Sequence, residues 1–213
     1  MTIRVLLADD HVVLREGLKV LLQQAADISV VGEAADGREA VRRAQAVKPD
    51  VVIMDIAMPG LNGIEAARLL RDKSPATRVV ILSMHSNSEH VCRALEAGAA
   101  GFVLKESAGE EVAAAVHAAH AGRRYFSRAI AALESVAQCR PGRASPLDSL
   151  SARERQVLQL VVEGHSSAEI AATVHLSSNT VETYRGRLMK KLSVSNVPGL
   201  VRFAIEHGLT PSS

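Results

Sequence analysis

Tryptophan is absent, and tyrosine and phenylalanine number only two and three. Any core this chain builds must therefore be filled by Ala, Val, Leu and Ile, without large aromatic anchors. Cysteine is almost as scarce: Cys92 lies in a helical pattern and Cys139 in a polar stretch. Two such residues make neither a disulfide framework nor a CxxC metal spacing, and a reducing cytoplasm is the expected compartment. Apolar runs of membrane-spanning length are also missing, and the N-terminal segment meets Asp9 and Asp10 before a secretory core can be completed. A cytoplasmic protein with no membrane partner is expected. A formal net charge of +2 does not announce nucleic acid by itself. Its distribution says more: residues 1–125 carry 15 basic and 16 acidic side chains, against 10 and 7 in 126–213.

Five short apolar runs are present instead, at Ile3–Ala8, Ser29–Ala34, Val51–Met54, Val79–Leu82 and Gly101–Leu104, with helical patterns between them. Such alternation predicts right-handed βαβ crossovers and a parallel sheet covered by helices on both faces. The expected architecture is a flavodoxin-like, doubly wound five-stranded sheet of order 2-1-3-4-5 over residues 1–122. No further strand is expected beyond Tyr125. Residues 123–146, turn-rich around Gln138–Pro146, are expected to be a linker, with a possible helix at Ser127–Ala137. Residues 147–213 are expected to form a small all-α domain of four helices. Ser151-Ala-Arg-Glu154 and Ser166-Ser-Ala-Glu169 both fit the capping box, in which Ser and Glu satisfy each other's backbone donors at a helix start. Later helices are expected at Ser177–Leu192 and Asn196–His207, with Gly208 as the stop.

In that strand order Asp9 and Asp10, after the first strand, face Asp55 at the end of the third. Three carboxylates this close raise one another's pKa unless a cation joins them, and Mg²⁺ suits a site of few carboxylates and several waters. Ser83 and Lys105 end the fourth and fifth strands and reach the same edge. Each residue alone has an ordinary structural use: an Asp-Asp pair often caps the next helix. Their convergence at one sheet edge instead outlines a place where a phosphoryl group could be attached to Asp55 and neutralised.

These residues lie in Leu6-Leu-Ala-Asp-Asp-His11, Ile53-Met-Asp-Ile-Ala-Met-Pro-Gly60, Val80-Ile-Leu-Ser-Met-His85 and Gly101-Phe-Val-Leu-Lys-Glu106. Together they resemble the receiver domain of two-component response regulators. The resemblance implies that Asp55 is the phosphoacceptor and that Asp9, Asp10, Asp55 and the main-chain carbonyl of Ala57 hold Mg²⁺. It further implies that Ser83 and Lys105 contact the phosphoryl group and that Phe102 stands at the aromatic switch position. Glu106 after Lys105 and Met84 after Ser83 depart from the commonest receiver pattern.

In the second half, Leu150–Leu158, Glu163–Ala171 and Thr180–Leu192 resemble the LuxR-type helix-turn-helix domain. The whole chain is thus similar to the NarL/FixJ class of response regulators. The helix over Ser177–Leu192 has an inward stripe of Val181, Tyr184 or Arg185, Leu188 and Leu192. Its other face offers Thr180, Glu182, Thr183, Gly186, Arg187 and Lys190. Base-reading positions of the class fall on Glu182, Thr183 and Gly186, the last of which has no side chain to read with. Thr180, Arg187 and Lys190 suit phosphates, which position a protein on DNA without reading sequence. The implied partners are a sensor histidine kinase, promoter DNA with paired half-sites, and a second copy of the chain on DNA. Two alternatives share parts of this reading: a DNA-binding regulator that works without phosphorylation, and a Mg²⁺-dependent phosphohydrolase. Against the latter, Ala57 occupies the position where a second catalytic acid would stand, so a regulator rather than an enzyme is expected.

Overall fold

A computed structural model describes residues 2–84, 86, 88–132 and 146–206. Its contacts divide the chain into two compact units, Met1–Pro141 and Gly142–Ser213.

In the first unit β1 (Ile3–Ala8), β2 (Ile28–Ala34), β3 (Val51–Asp55), β4 (Arg78–Ser83) and β5 (Gly101–Leu104) alternate with α1 (Val12–Gln23), α2 (Gly37–Val47), α3 (Gly63–Lys73) and α4 (Ser88–Glu96). A 3₁₀ turn over Lys105–Ser107 then leads into α5 (Ala108–His120). Every strand pairing is parallel. Successive side chains alternate between two dry layers, as strand geometry requires. Leu6, Val52, Met54, Ile81 and Phe102 pack against α2, α3 and α4, while Val5, Leu7, Ile53, Leu82 and Val103 pack against α1 and α5. With both faces covered, β3 is buried along its whole length, which explains its unbroken apolar run. Ala115 and Ala119 on α5 are fully buried: small side chains there bring the helix close to the sheet.

The sheet has six strands rather than the expected five, in the order β2-β1-β3-β4-β5-β6. The addition, β6 (Tyr125–Phe126), is held by Tyr125 N–H donating to Ala100 O and Ser127 N–H donating to Phe102 O, both at 3.0 Å. Two residues are too few to carry a periodic signal, so the strand is invisible in the pattern of the sequence. After it comes α6 (Arg128–Ala131), whose Ile130 joins the core. Part of the stretch expected as linker therefore belongs to the sheet unit. The rest of the helix expected to Ala137, the turn-rich segment 138–145 and the stop at Gly208 lie outside the described residues.

Cys92, on α4, is disulfide-bonded, which departs from the expectation of no disulfide. Bridging depends on how near two Cα atoms come in space, and sequence spacing gives no measure of that.

In the second unit α7 (Ala152–Val162), α8 (Ser167–Val174), α9 (Ser178–Lys191) and α10 (Val197–Glu206) surround one apolar core built from Val157, Leu158, Ile170, Val181, Leu188 and Leu200 among others. Both expected capping boxes are formed, at Ser151 with Glu154 and at Ser166 with Glu169. Ser177 caps α9 by accepting from Thr180 N–H. No helix among the described residues is long and apolar enough to cross a membrane.

Candidate phosphoacceptor site and nucleic-acid interface

Strand register sets the first site. Ala8 pairs with Met54 and Asp55 with Leu82, while Ser83 pairs with Leu104. Asp9, Asp55, Ser83 and Lys105, each at the end of its strand or one residue beyond, consequently share the C-terminal edge of the sheet. Asp9 and Asp55 are each 1% exposed and Ser83 is 3% exposed, whereas Asp10 is open to solvent. The Lys105 ammonium lies 2.9 Å from Asp9 Oδ2 and 2.9 Å from Asp55 Oδ2. One cation thus bridges two buried carboxylates.

The electrostatics follow from that placement. Burial pushes the Asp55 carboxyl above its ordinary pKa; Lys105 opposes this, the Asp9 charge adds to it, and a hydrogen bond from the Ala57 backbone opposes it. Burial also disfavours the Lys105 ammonium, yet the Asp55 and Asp9 carboxylates outweigh it and hold the lysine above its usual range. Carboxylate oxygens of Asp9, Asp10 and Asp55 and a nitrogen of His11 all lie within 4.8 Å of one another. Three hard oxygen donors around one point are the chemistry Mg²⁺ selects, so these residues fit that ion. Phe102, on β5, is 1% exposed and packs in the layer shared with α3 and α4.

Several residues of this site carry no signal that the sequence pattern could reveal. Arg15 donates to the Asp9 carbonyl at 2.6 Å and to Glu33 at 3.0 Å, and Lys19 holds the other oxygen of Glu33 at 2.7 Å. The first acid turn is thereby tied to β2. His11 Nδ1 lies 3.1 Å from Asp9 and 2.9 Å from Asp10. Gly63 opens α3 directly against the end of β3, and a Cβ there would sit 1.9 Å from the Asp55 carbonyl oxygen. Only the Gly in Pro59-Gly-Leu-Asn-Gly63 could have flagged it, and that run reads equally well as a turn.

The second site is α9. Val181 and Leu188 are fully buried and Tyr184 packs partly into the core. Glu182, Thr183, Gly186, Arg187 and Lys190 line its outer side, with Thr180 half-buried at its start. The Thr180 hydroxyl bonds that of Ser177 at 2.8 Å, so it also serves the cap. Arg187 lies over the Tyr184 ring, 5.9 Å from its centroid. Arg185 is not part of the apolar stripe; its guanidinium turns toward α8 and Glu182.

A doubly wound sheet with an acid pair, a buried strand-end Asp and a bridging Lys, in a chain that also carries a helical unit with a basic exposed helix, defines a receiver-type domain followed by a helix-turn-helix domain. Comparison with known proteins agrees. Residues 5–117 match the family of response regulator receiver domains, and residues 148–204 match the bacterial regulatory proteins of the luxR family. The chain is 39% identical over 207 residues to the transcriptional regulatory protein MctR of Rhizobium johnstonii, covering 97% of this chain and 95% of that protein. It is 36% identical over 208 residues to the response regulator UvrY of Escherichia coli K12, again covering 97% and 95%. A solved structure of two RcsB dimers bound to two parallel DNAs is 27% identical, with a TM-score of 0.57, and the match covers 95% of this chain and 98% of that one. The chain belongs to the two-component response regulators that join a receiver to a LuxR-type DNA-binding domain, the NarL/FixJ class, and is a transcription regulator.

Proposed function

We propose that Asp55 is the phosphoacceptor and that its phosphorylation by a sensor histidine kinase controls DNA binding through α9. The observation that carries this reading is the Lys105 ammonium 2.9 Å from both Asp55 and Asp9 at one sheet edge. A carboxylate oxygen of Asp55 attacks the phosphorus of a phosphohistidine, the P–N bond breaks, and the imidazole leaves with the electron pair. The product is an acyl phosphate on Asp55. Lys105 is placed to pair with the transferred oxygens, and the Ser83 hydroxyl to donate to one of them. When bound by Asp9, Asp10, Asp55 and the Ala57 carbonyl, Mg²⁺ supplies positive charge that offsets the phosphoryl oxygens. Phe102, which has no hydroxyl, relays the change only through the position of its ring.

On the DNA side, Thr180, Arg187 and Lys190 are assigned to phosphates, and Glu182, Thr183 and the small Gly186 to base edges. By analogy with the RcsB dimers on DNA, the chain binds paired half-sites as a homodimer. A cytoplasmic location fits the proposed dependence on a kinase and on DNA. Storage of one phosphoryl group, without turnover of a substrate, is the role assigned to the receiver. Incubation with acetyl phosphate and Mg²⁺ tests this by intact mass. A gain of one phosphoryl group that Asp55→Asn abolishes is expected; no Asp55-dependent gain would sink phosphoryl control.

A further inference from the structure

At the corner between α8 and α9 three polar side chains form a closed triangle. Ser167, the first residue of α8, donates its hydroxyl to Glu182 Oε1. Arg185, one turn along α9 from Glu182, donates through Nη1 to Ser167 Oγ at 2.6 Å and to Glu182 Oε1 at 3.3 Å. One carboxylate oxygen of Glu182 is therefore gripped from both helices. The triangle is set half in protein: the Arg185 side chain is 19% exposed, while that of Glu182 is 59% exposed. The Ser167 hydrogen bond, followed by Arg185, also holds the Glu182 pKa below the ordinary carboxylate value, so the group stays ionised.

An ionised carboxylate is an acceptor only. In a major groove it repels phosphates and the acceptor-rich edge of guanine, and it is favoured only where a base offers an amino group, with the cytosine N4 amino as its usual partner. A mobile Glu would swing away from a mismatched base. One fixed at Oε1 presents its other oxygen at a defined point and discriminates more sharply. Building on the assignment of α9 as the DNA-reading helix, we infer that Ser167 and Arg185 are positioning residues that hold Glu182 as a fixed acceptor. Glu182 thereby selects a cytosine amino donor at one position of each half-site.

The full-length protein, treated with acetyl phosphate and Mg²⁺, is used to select binders from a duplex DNA library with a randomised central segment. Wild type is expected to enrich C at one position per half-site by about tenfold over the other bases. Glu182→Gln, whose amide can donate as well as accept, loses that preference. Ser167→Ala and Arg185→Met reduce it several-fold, whereas Ser167→Thr, which keeps the hydroxyl, restores it. Thermal melts check that each variant folds. Full C preference in both Ser167→Ala and Arg185→Met would overturn the positioning role, and unaltered base preference in Glu182→Gln would overturn the whole inference. Replacing Arg187 and Lys190 together by Ala separates this from failure of the parent reading. If library binding is undiminished in that variant, α9 does not bind DNA; if it weakens, the result for Glu182 stands on its own.

Discussion

Each unit of this regulator buries a carboxylate beside a lysine, and the two are put to opposite use. In the helical unit Glu154 accepts from the Ser151 backbone at 2.8 Å and from the Lys191 ammonium at 2.8 Å, and Lys191 also donates to Ser149 O at 3.0 Å. Burial alone would raise the Glu154 pKa, but Lys191 and Ser151 outweigh it and the group is held below its ordinary value. In the receiver Asp55 also faces a lysine, yet Asp9 shares that lysine and burial wins, so its pKa is raised. The helical unit satisfies its charge; the receiver leaves its charge under-compensated. The proposed phosphoryl acceptance adds negative charge at Asp55, which a saturated site would not take, whereas a scaffold that presents a rigid helix gains by being saturated.

The sharpest way to break this comparison is Gly63→Ala. A Cβ 1.9 Å from the Asp55 carbonyl oxygen meets backbone that has nowhere to go. A loss of about 3 kcal/mol is expected in denaturant melts of the receiver, with loss of phosphoryl uptake. A wild-type midpoint would show that α3 does not press on β3. In the helical unit Lys191→Met should cost about 1–2 kcal/mol, discounted because the lysine is 40% exposed. No change there would mean that Glu154 is satisfied without it.

A pH series sharpens the contrast. Asp55 has a raised folded pKa, so its contribution to stability is fully present below the ordinary 3.8 and is lost as pH rises through the folded value. Glu154 has a lowered one, so its contribution is present above 4.5 and is lost as pH falls through the folded value. At neutral pH Asp55→Asn should therefore stabilise the receiver by about 1 kcal/mol, and Glu154→Gln should destabilise the helical unit. Hydrogen exchange resolved by region should show both differences shrinking on acidification, from opposite signs. Equal signs would erase the distinction between the two carboxylates. The smallest effect belongs to Gly186→Ala. A methyl group added there would meet nothing within 4 Å, so α9 should gain up to about 1 kcal/mol, read as a rise in melting temperature.

Most of the sheet was legible because its strands are buried on both faces and cannot avoid unbroken apolar runs. Asp9, Asp55, Ser83 and Lys105 were legible for the same reason, since each follows such a run. Tyr125–Phe126 was not, because an edge strand of two residues is made by partners on β5 rather than by its own pattern. Gly63 and Arg15 were hidden for a related cause: both act on backbone atoms, a carbonyl at Asp55 and another at Asp9, and sequence carries no trace of such backbone contacts. In the helical unit the caps at Ser151 and Ser166 were readable because both partners lie three residues apart. The Ser167–Glu182–Arg185 triangle joins two helices, and there the spacing rules end.

Charge stored on Asp55 is proposed to govern the grip of α9 on DNA, and that link is the central claim about this chain. The direct measurement is the affinity of wild type and Asp55→Asn for one DNA duplex recovered by selection, each with and without acetyl phosphate, at fixed salt and Mg²⁺. A shift in affinity on phosphorylation is expected for wild type and none for Asp55→Asn. Equal affinities for wild type in both states, at full phosphoryl occupancy, would contradict the link.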